Sequence, residues 1–364
     1  MPKKIVIASI LKPVDDVRGY WKIAQLLAKT NKYEVNIIGN AGKKDVSHPN
    51  IDFSPHRIRR DRLLQRFLIR YRILFTSLKT RPSIFIFTTH ELLLAAVILK
   101  LVSGCKIIYD VQENYRKNVL ISKGPFSTIY SKIIALKEGL FVGYIDHLWL
   151  AEKCYKRELK LEDRNCFVIQ NKALDIHIKR EKSSSIRLLF SGTISDYSGI
   201  RSALRIIQQI IKNEKESEAI IVGQVHDSTL KSWLENEVLE YSQIQLITSY
   251  DPVPYDEIVQ QIQWANMGII SYQPNEVNQN KVPTKLYEYS RYKLPYLIQQ
   301  NTLWSKVGTR LGMGIAVDFK QPDYEKIIET WKKVLQNPSN TYQEADTWEF
   351  ESRRVIDSID ELLH

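Results

Sequence analysis

Short apolar runs alternate with amphipathic stretches along the chain. Lys4–Ile10 reads as a strand, Arg18–Lys29 as a helix and Tyr33–Gly39 as the next strand. Ser83–Thr88, Lys106–Asp110, Ile145–Leu150 and Cys166–Gln170 read as the further strands of a first half. Strands separated by helices predict βαβ units and a parallel sheet. The pattern breaks around 171–185, where Lys179-Arg180-Glu181-Lys182-Ser183-Ser184-Ser185 is polar, charged and aperiodic, as in a linker or surface loop. It restarts with Arg187–Ser191, Ala219–Gly223, Gln245–Ile247, Met267–Ser271, Tyr296–Gln299 and Ile315–Val317, and ends in a helical stretch, Trp348–Leu362. No internal repeat or low-complexity tract is present.

The expectation is an α/β protein of two Rossmann-like, doubly wound domains facing across a cleft. Residues 1–172 form the first domain, 173–185 the linker, 186–345 the second domain and 346–364 a terminal helix. A chain of 364 residues, 44% of them hydrophobic, has enough apolar material for two cores. Cys105, Cys154 and Cys166 have neither metal spacing nor an even pairing, and read as reduced thiols. Met1-Pro2-Lys3-Lys4 leads straight into Ile5-Val6-Ile7-Ala8, a first strand rather than a signal peptide. His90–Val102 is too short to span a bilayer and is interrupted by Lys100. A cytoplasmic protein with peripheral membrane contact is expected.

Charge sharpens that last point. The formal net charge is +11, and Arg57–Arg81 alone carries +8, with nine basic residues against Asp61. Within it Leu64, Phe67, Tyr71, Leu74 and Leu78 recur at helical spacing, with Arg59, Arg62, Arg66 and Arg70 on a neighbouring face. A basic amphipathic helix of this kind lies on an anionic membrane surface. A packing helix with a solvated arginine face is the plainer alternative. No nucleic-acid module accompanies the charge, so nucleic acid is not an expected partner.

In open α/β sheets, ligands bind at the carboxyl ends of the strands. Four segments fall there. Lys12–Gly19 joins the first strand to a helix whose free N–H groups suit an anion; Asp15 and Asp16 there read either as caps or as ligand-facing acids. It is not a Gly-x-Gly-x-x-Gly fingerprint, which disfavours nicotinamide binding. Tyr109–Tyr115 follows a strand with several polar groups. Phe190–Ile200 opens the second domain, and Gly192 lets a ligand approach the backbone. Lys281–Tyr289 starts a helix at Pro283 and Thr284, where a hydroxyl, free N–H groups and Lys285 suit a phosphate. Glu288 shares the face of Thr284 at i+4 and suits a ribose diol.

Together these segments resemble the GT-B glycosyltransferases, specifically glycosyltransferase family 4. Ile108–Glu113 resembles its "YDxHE" segment and Val168–Asn171 its "VIPN" domain end. Pro283-Thr284-Lys285-Leu286-Tyr287-Glu288-Tyr289 resembles "PxKLxEY", and Thr347-Trp348-Glu349 the "SWE" that opens a C-terminal helix crossing back to the first domain. The resemblance implies a retaining glycosyltransferase that moves a sugar from a nucleotide-diphospho-sugar to a glycan or lipid-linked acceptor. It implies no metal or other cofactor, and no carboxylate–His cluster here has metal spacing.

By the same resemblance Glu288, Lys285, Thr284, Leu286, Gly192, Thr193, Arg18 and Gly19 form the donor-binding set. Asn280, Gln112 and Asp16 fall in the catalytic positions, and Asp15 and Glu113 face acceptor or sugar. Three positions depart from the family. Asn280 stands for the first of two glutamates eight residues apart, and Gln112 for a histidine. Thr193 and Ser198 stand for the basic pair of the second domain's first turn, so the phosphate site leans on Lys285 and on Arg18 or Arg201. These departures motivate the alternative of a non-catalytic relative that binds nucleotide sugar or a partner enzyme. A nucleotide-sugar epimerase on the same fold is the third reading.

Overall fold

Strand β1, Lys3–Pro13, is buried from Ile5 to Ile10 and sits in the middle of a parallel sheet. The computed structural model describes residues 2–42, 47–58, 62–121, 124–162, 164–181, 183–300, 302–336 and 341–363. The chain divides into two compact units, Met1–Asn171 with Trp348–His364, and Lys172–Thr347.

The first unit adds β2 (Tyr33–Asn40), β3 (Ile51–His56), β4 (Ile84–Phe87), β5 (Lys106–Val111), β6 (His147–Leu150) and β7 (Cys166–Val168). Their order is β3-β2-β1-β4-β5-β6-β7, all parallel. The winding reverses between β1 and β4. Central strands read as unbroken apolar runs, Ile84-Phe85-Ile86-Phe87 for example, because both faces of the sheet are covered. Strand β3 was not among the expected elements. Ile-Asp-Phe-Ser-Pro-His has a weak alternation and a proline, which a strand tolerates only where one side is unpaired. Its place at the sheet edge supplies that condition.

The helix expected over Arg18–Lys29 forms, but it opens in wide π-type turns over Val17–Ala24 before Gln25–Lys29 closes to α. Turns of this π type inside helices cluster at functional sites. The terminal helix, Trp348–Leu363, packs on this same unit. Glu351, fully buried, accepts the Gln170 N–H at 3.2 Å, and Arg354 donates to the Val168 carbonyl at 3.0 Å.

The second unit is a six-stranded parallel sheet of β8 (Arg187–Ser191), β9 (Glu218–Gln224), β10 (Ile244–Ser249), β11 (Met267–Ile270), β12 (Tyr296–Gln299) and β13 (Gly314–Val317). The order is β10-β9-β8-β11-β12-β13, so its winding reverses between β8 and β11. Leu188 and Phe190 belong to one apolar cluster and Leu189 to another, one core on each sheet face. The stretch expected as a linker, 173–185, belongs to this unit: Ala173 is buried and bridges to Thr347, and Arg180 donates to the Ala265 carbonyl at 3.5 Å.

Candidate functional site

The switch point of the second unit lies at the carboxyl end of β8, where open α/β sheets bind ligands. Ser191 ends the strand and Gly192 turns out of it with φ +112°, a conformation side chains resist. Gly192 donates its N–H to Val222 at 2.9 Å, and a Cβ on neighbouring Gly223 would overlap the Gly192 carbonyl oxygen. Two glycines therefore let two backbones touch.

Across from this turn the helix Thr284–Arg291 begins, with Pro283 as its N-cap at φ −55°. Lys285 reaches over to donate to Ser191 Oγ at 2.8 Å, and Ser191 Oγ lies 2.9 Å from Tyr289 Oη. The lysine ammonium is 4.0 Å from Glu288, and both side chains are mostly buried, 13% and 8% exposed. Burial pulls the Lys285 ammonium down from its ordinary pKa, and the Glu288 charge opposes this. Glu288 sits among phenols. Burial and, after it, the Glu288 charge push Tyr255 well up; burial, then Tyr197, then Glu288 push Tyr272 up to about 12. The result is a cation beside a glycine turn, with a carboxylate one helical turn away.

The other expected residues of this unit are placed as follows. Thr284 opens the helix, and Thr193 is exposed in the Gly192 loop. Asn280 is exposed at the end of a turn held by Asn275 and Asn278. Leu286, expected among the donor-binding residues, has its side chain fully buried in the core, because the helix's inward face falls on Leu286 and Tyr289. Arg201, the alternative phosphate cation, is engaged with Asp196 at 2.6 Å and lies over the Trp233 ring.

In the first unit the matching switch point, between β1 and β4, carries a charged network. Asp16 caps the π-type helix, accepting from the Arg18 and Gly19 N–H groups at 3.1 and 2.9 Å. This is the capping reading of the pair Asp15–Asp16; the Asp15 carboxylate lies against Gly42. Arg18 is fully buried and donates twice to Asp110, at 2.8 and 2.7 Å, and once to the Ile169 carbonyl at 3.0 Å. Burial lowers its pKa, but the Asp110 charge and hydrogen bonds outweigh that and leave it raised. Each nitrogen of this guanidinium is thus engaged inside the unit. Gln112 donates to Asp110 at 2.6 Å and accepts from Lys12, which also lies 3.7 Å from Asp16. Glu113 accepts from Asn118 at 2.6 Å.

Asp110 was quoted in the sequence only as part of a segment. The signal was there: a carboxylate inside Ile107-Ile108-Tyr109-Asp110-Val111, a buried strand, requires a cation.

The basic helix spans Leu63–Thr80. Its buried stripe is Ile69, Ile73, Leu74 and Ser77; of the apolar residues read at helical spacing, Leu74 is buried with it, Leu78 is half-buried, and Leu64, Phe67 and Tyr71 are exposed. Spacing at i+4 from Ile69 through Ser77 fixes that stripe. Arg62 is exposed, Arg66 pairs with Glu91 at 2.9 Å, and Arg70 lies over the Phe67 ring at 4.8 Å; Arg59 lies outside the described residues. Among the described residues no three His, Cys, Asp or Glu side chains gather as a metal ion requires. No helix among them is long and apolar enough to cross a membrane.

No protein-family model matches the sequence, and no curated protein does. Solved structures do. Sucrose-phosphate synthase from Thermosynechococcus elongatus is similar over 99% of both chains, with a TM-score of 0.73 and 12% identity. Anabaena HepE, solved in complex with UDP and glucose, gives a TM-score of 0.63 at 11% identity, over 99% of this chain and 100% of that one. UDP-GlcNAc 2-epimerase from Neisseria meningitidis, bound to UDP-GlcNAc, gives 0.61 at 11% identity, over 98% and 100%. The likeness runs the length of the chain and shows the fold, GT-B.

Proposed function

We propose that this chain is a glycosyltransferase that takes its sugar from a nucleotide diphosphate. One observation carries the reading. Lys285, drawn down onto Ser191 beside the Gly192 turn, stands one helical turn from the buried Glu288 at the sheet's switch point. The diphosphate would meet the Lys285 ammonium, the Thr193 N–H of the Gly192 turn and the N–H groups of the helix N-terminus at Thr284. Glu288 would accept from the ribose hydroxyls. Leaving-group charge grows on the diphosphate as the glycosidic bond breaks, so a fixed cation stabilises the transition state more than the ground state. On this reading no metal ion is needed, since Lys285 and the backbone supply the positive charge.

The finer reading is transfer with retention at the anomeric carbon, to a glycan or lipid-linked acceptor at the cytoplasmic face of a membrane. The arginine-rich helix supports the membrane side of it. Asp16, Asp15, Glu113 and Gln112 would act on the acceptor side, with Asn280 as a neutral hydrogen-bonding group toward the sugar.

A non-catalytic relative is favoured by two observations. Gln112 is held between Lys12 and Asp110, and Asn280 is exposed and uncharged. One experiment separates the readings. A thermal-shift screen against nucleotides and nucleotide sugars should show a rise with one nucleotide diphosphate, about 2.7 kcal/mol at one hundred times its dissociation constant. Glu288→Ala should abolish the rise. Donor turnover in a mixed-acceptor assay should then follow the same nucleotide. A shift without turnover moves the assignment to the non-catalytic reading; no shift with any nucleotide sinks both.

A further inference from the structure

Of the twenty exposed large hydrophobic side chains among the described residues, seventeen lie between Leu64 and Tyr144. They are not scattered. Leu63–Thr80, Leu93–Ser103 and Ser127–Phe141 contact one another in series, and Tyr115–Ile121 packs on the last of them. The first two bury Ile69, Ile73, Leu93 and Ala96 with the strand residues Val6, Phe85 and Ile107 in one core. The outward side of this helical layer is where apolar side chains are laid bare. Leu64 and Phe75 are 72% and 61% exposed, Leu101 and Val102 70% and 68%, and Leu136 and Leu140 63% and 60%. A water-facing helix normally carries polar residues there, and exposed apolar side chains gathered on neighbouring helices point to an interaction site.

The charge around it selects the occupant. Residues 62–141 hold thirteen lysines and arginines against four acids, so +9 of the chain's +11 lies in this stretch. All four acids are engaged within the fold: Glu91 with Arg66, Asp110 with Arg18, Glu138 with Arg116, and Glu113 with Asn118. Arg62, Arg72, Lys79 and Lys132 remain exposed on or beside the same helices as the apolar side chains. A second copy would bring the same positive charge against itself. An anionic bilayer offers hydrocarbon for the apolar side chains and phosphates for the rim.

We infer that this helical layer is an insertion face that seats the first unit in an anionic lipid surface, with the Leu93–Ser103 and Ser127–Phe141 helices entering the acyl boundary. The inference rests on the membrane-face reading above and changes its physics. A basic helix alone gives attachment that salt removes. An inserted apolar face leaves a part that salt does not remove.

Flotation of the full chain with phosphatidylcholine vesicles, with and without phosphatidylglycerol, at low and high salt tests this. Wild-type protein should float with the anionic vesicles at low salt and retain a reduced but clear fraction at high salt. Ile129→Glu/Leu136→Glu/Leu140→Glu should lose at least about tenfold of the salt-resistant binding. Arg62→Ala/Arg72→Ala should lose mainly the salt-sensitive part. Indole emission of Leu136→Trp should blue-shift on vesicle addition and be quenched by bromine-labelled acyl chains, a readout available even if the triple variant fails to fold. Complete release by salt, an indole in Leu136→Trp that stays unquenched, or a dimer that the triple variant dissociates while vesicle binding persists would each overturn the inference. The nucleotide-induced thermal shift, read on the same samples, reports the donor site separately.

Discussion

The Arg18 guanidinium meets the Asp110 carboxylate through two hydrogen bonds of 2.8 and 2.7 Å, with both side chains 2% exposed or less. A pair this deep is costly to desolvate, and its members are safe only together. Asp110→Ala is expected to cost about 3–5 kcal/mol, because a buried guanidinium is left without its anion. Arg18→Met/Asp110→Leu should cost clearly less than Asp110→Ala alone. Urea denaturation of wild type, Asp110→Ala and Arg18→Met/Asp110→Leu gives the comparison; a double variant that costs as much as Asp110→Ala or more would refute the claim that a stranded guanidinium makes the single change costly.

Backbone proximity at the Gly192 turn gives a second expectation. A Cβ on Gly192 would lie 3.0 Å from Lys285 Cε and 3.2 Å from its Nζ, on a backbone with φ +112°. Lys285 has a flexible end and can yield; its bond to Ser191 cannot then persist. At Gly223 the obstacle is the Gly192 carbonyl, which is backbone and cannot yield cheaply. Gly192→Ala should therefore weaken nucleotide binding more than it lowers the melting temperature, and Gly223→Ala should lower both. Melting curves with and without nucleotide diphosphate measure the two quantities together.

His90 sets a pH dependence. Its ring is 6% exposed and packs against Tyr115 at 4.8 Å. Burial pulls its pKa from 6.5 down to about 4; Glu91 opposes this, and Lys137, Arg66 and Arg70 add to it. The folded ring is neutral where an unfolded one is already protonated. Stability is therefore full above pH 6.5, falls as pH drops through the window from 6.5 to 4, and levels off below. The full swing is about 3 kcal/mol. His90→Gln should remove this share, so the difference between the two stability–pH profiles is flat above pH 6.5 and closes toward pH 4. A constant difference across that window would assign the histidine no linked proton.

Strand and helix positions were legible because apolar period and turn residues report them directly. The Arg187–Ser191 and Tyr296–Gln299 strands stand where the alternation put them. Strand β3 was not legible, since Pro55 is a breaker until the edge position is known. The site was half legible. Lys285 and Glu288 follow from helix spacing and a capping proline. The engagement of Arg18 by Asp110 joins residues 92 apart in sequence, and no local pattern encodes which cation a buried carboxylate will choose. Which side of the Leu63–Thr80 helix is buried was not legible, for a related reason. That helix has two apolar stripes, and only the sheet beneath decides which is buried.

Ser358 ties the terminal helix to the first sheet. Its Oγ accepts from Trp149 Nε1 at 2.8 Å and lies 2.8 Å from His147 Nδ1, and all three side chains are buried. One oxygen can serve both if the serine hydroxyl donates to Nδ1, which fixes the imidazole proton on Nε2, on the side facing Glu361 at 3.6 Å. Burial lowers the His147 pKa, with Glu361 opposing, so the neutral ring this arrangement needs is the favoured form. Ser358→Ala removes the shared oxygen and strands an indole N–H and an imidazole nitrogen at once. The expected cost is about 1–3 kcal/mol for the first orphaned group, with a further penalty for the second. Trp149→Phe in the Ser358→Ala background should recover part of it, since one orphan disappears. Chemical denaturation of the single and double variants decides the matter. A Ser358→Ala protein as stable as wild type would mean that water reaches this seam, and that the helix is held by Val355 and Ile359 packing and by the Glu351 and Arg354 hydrogen bonds without it.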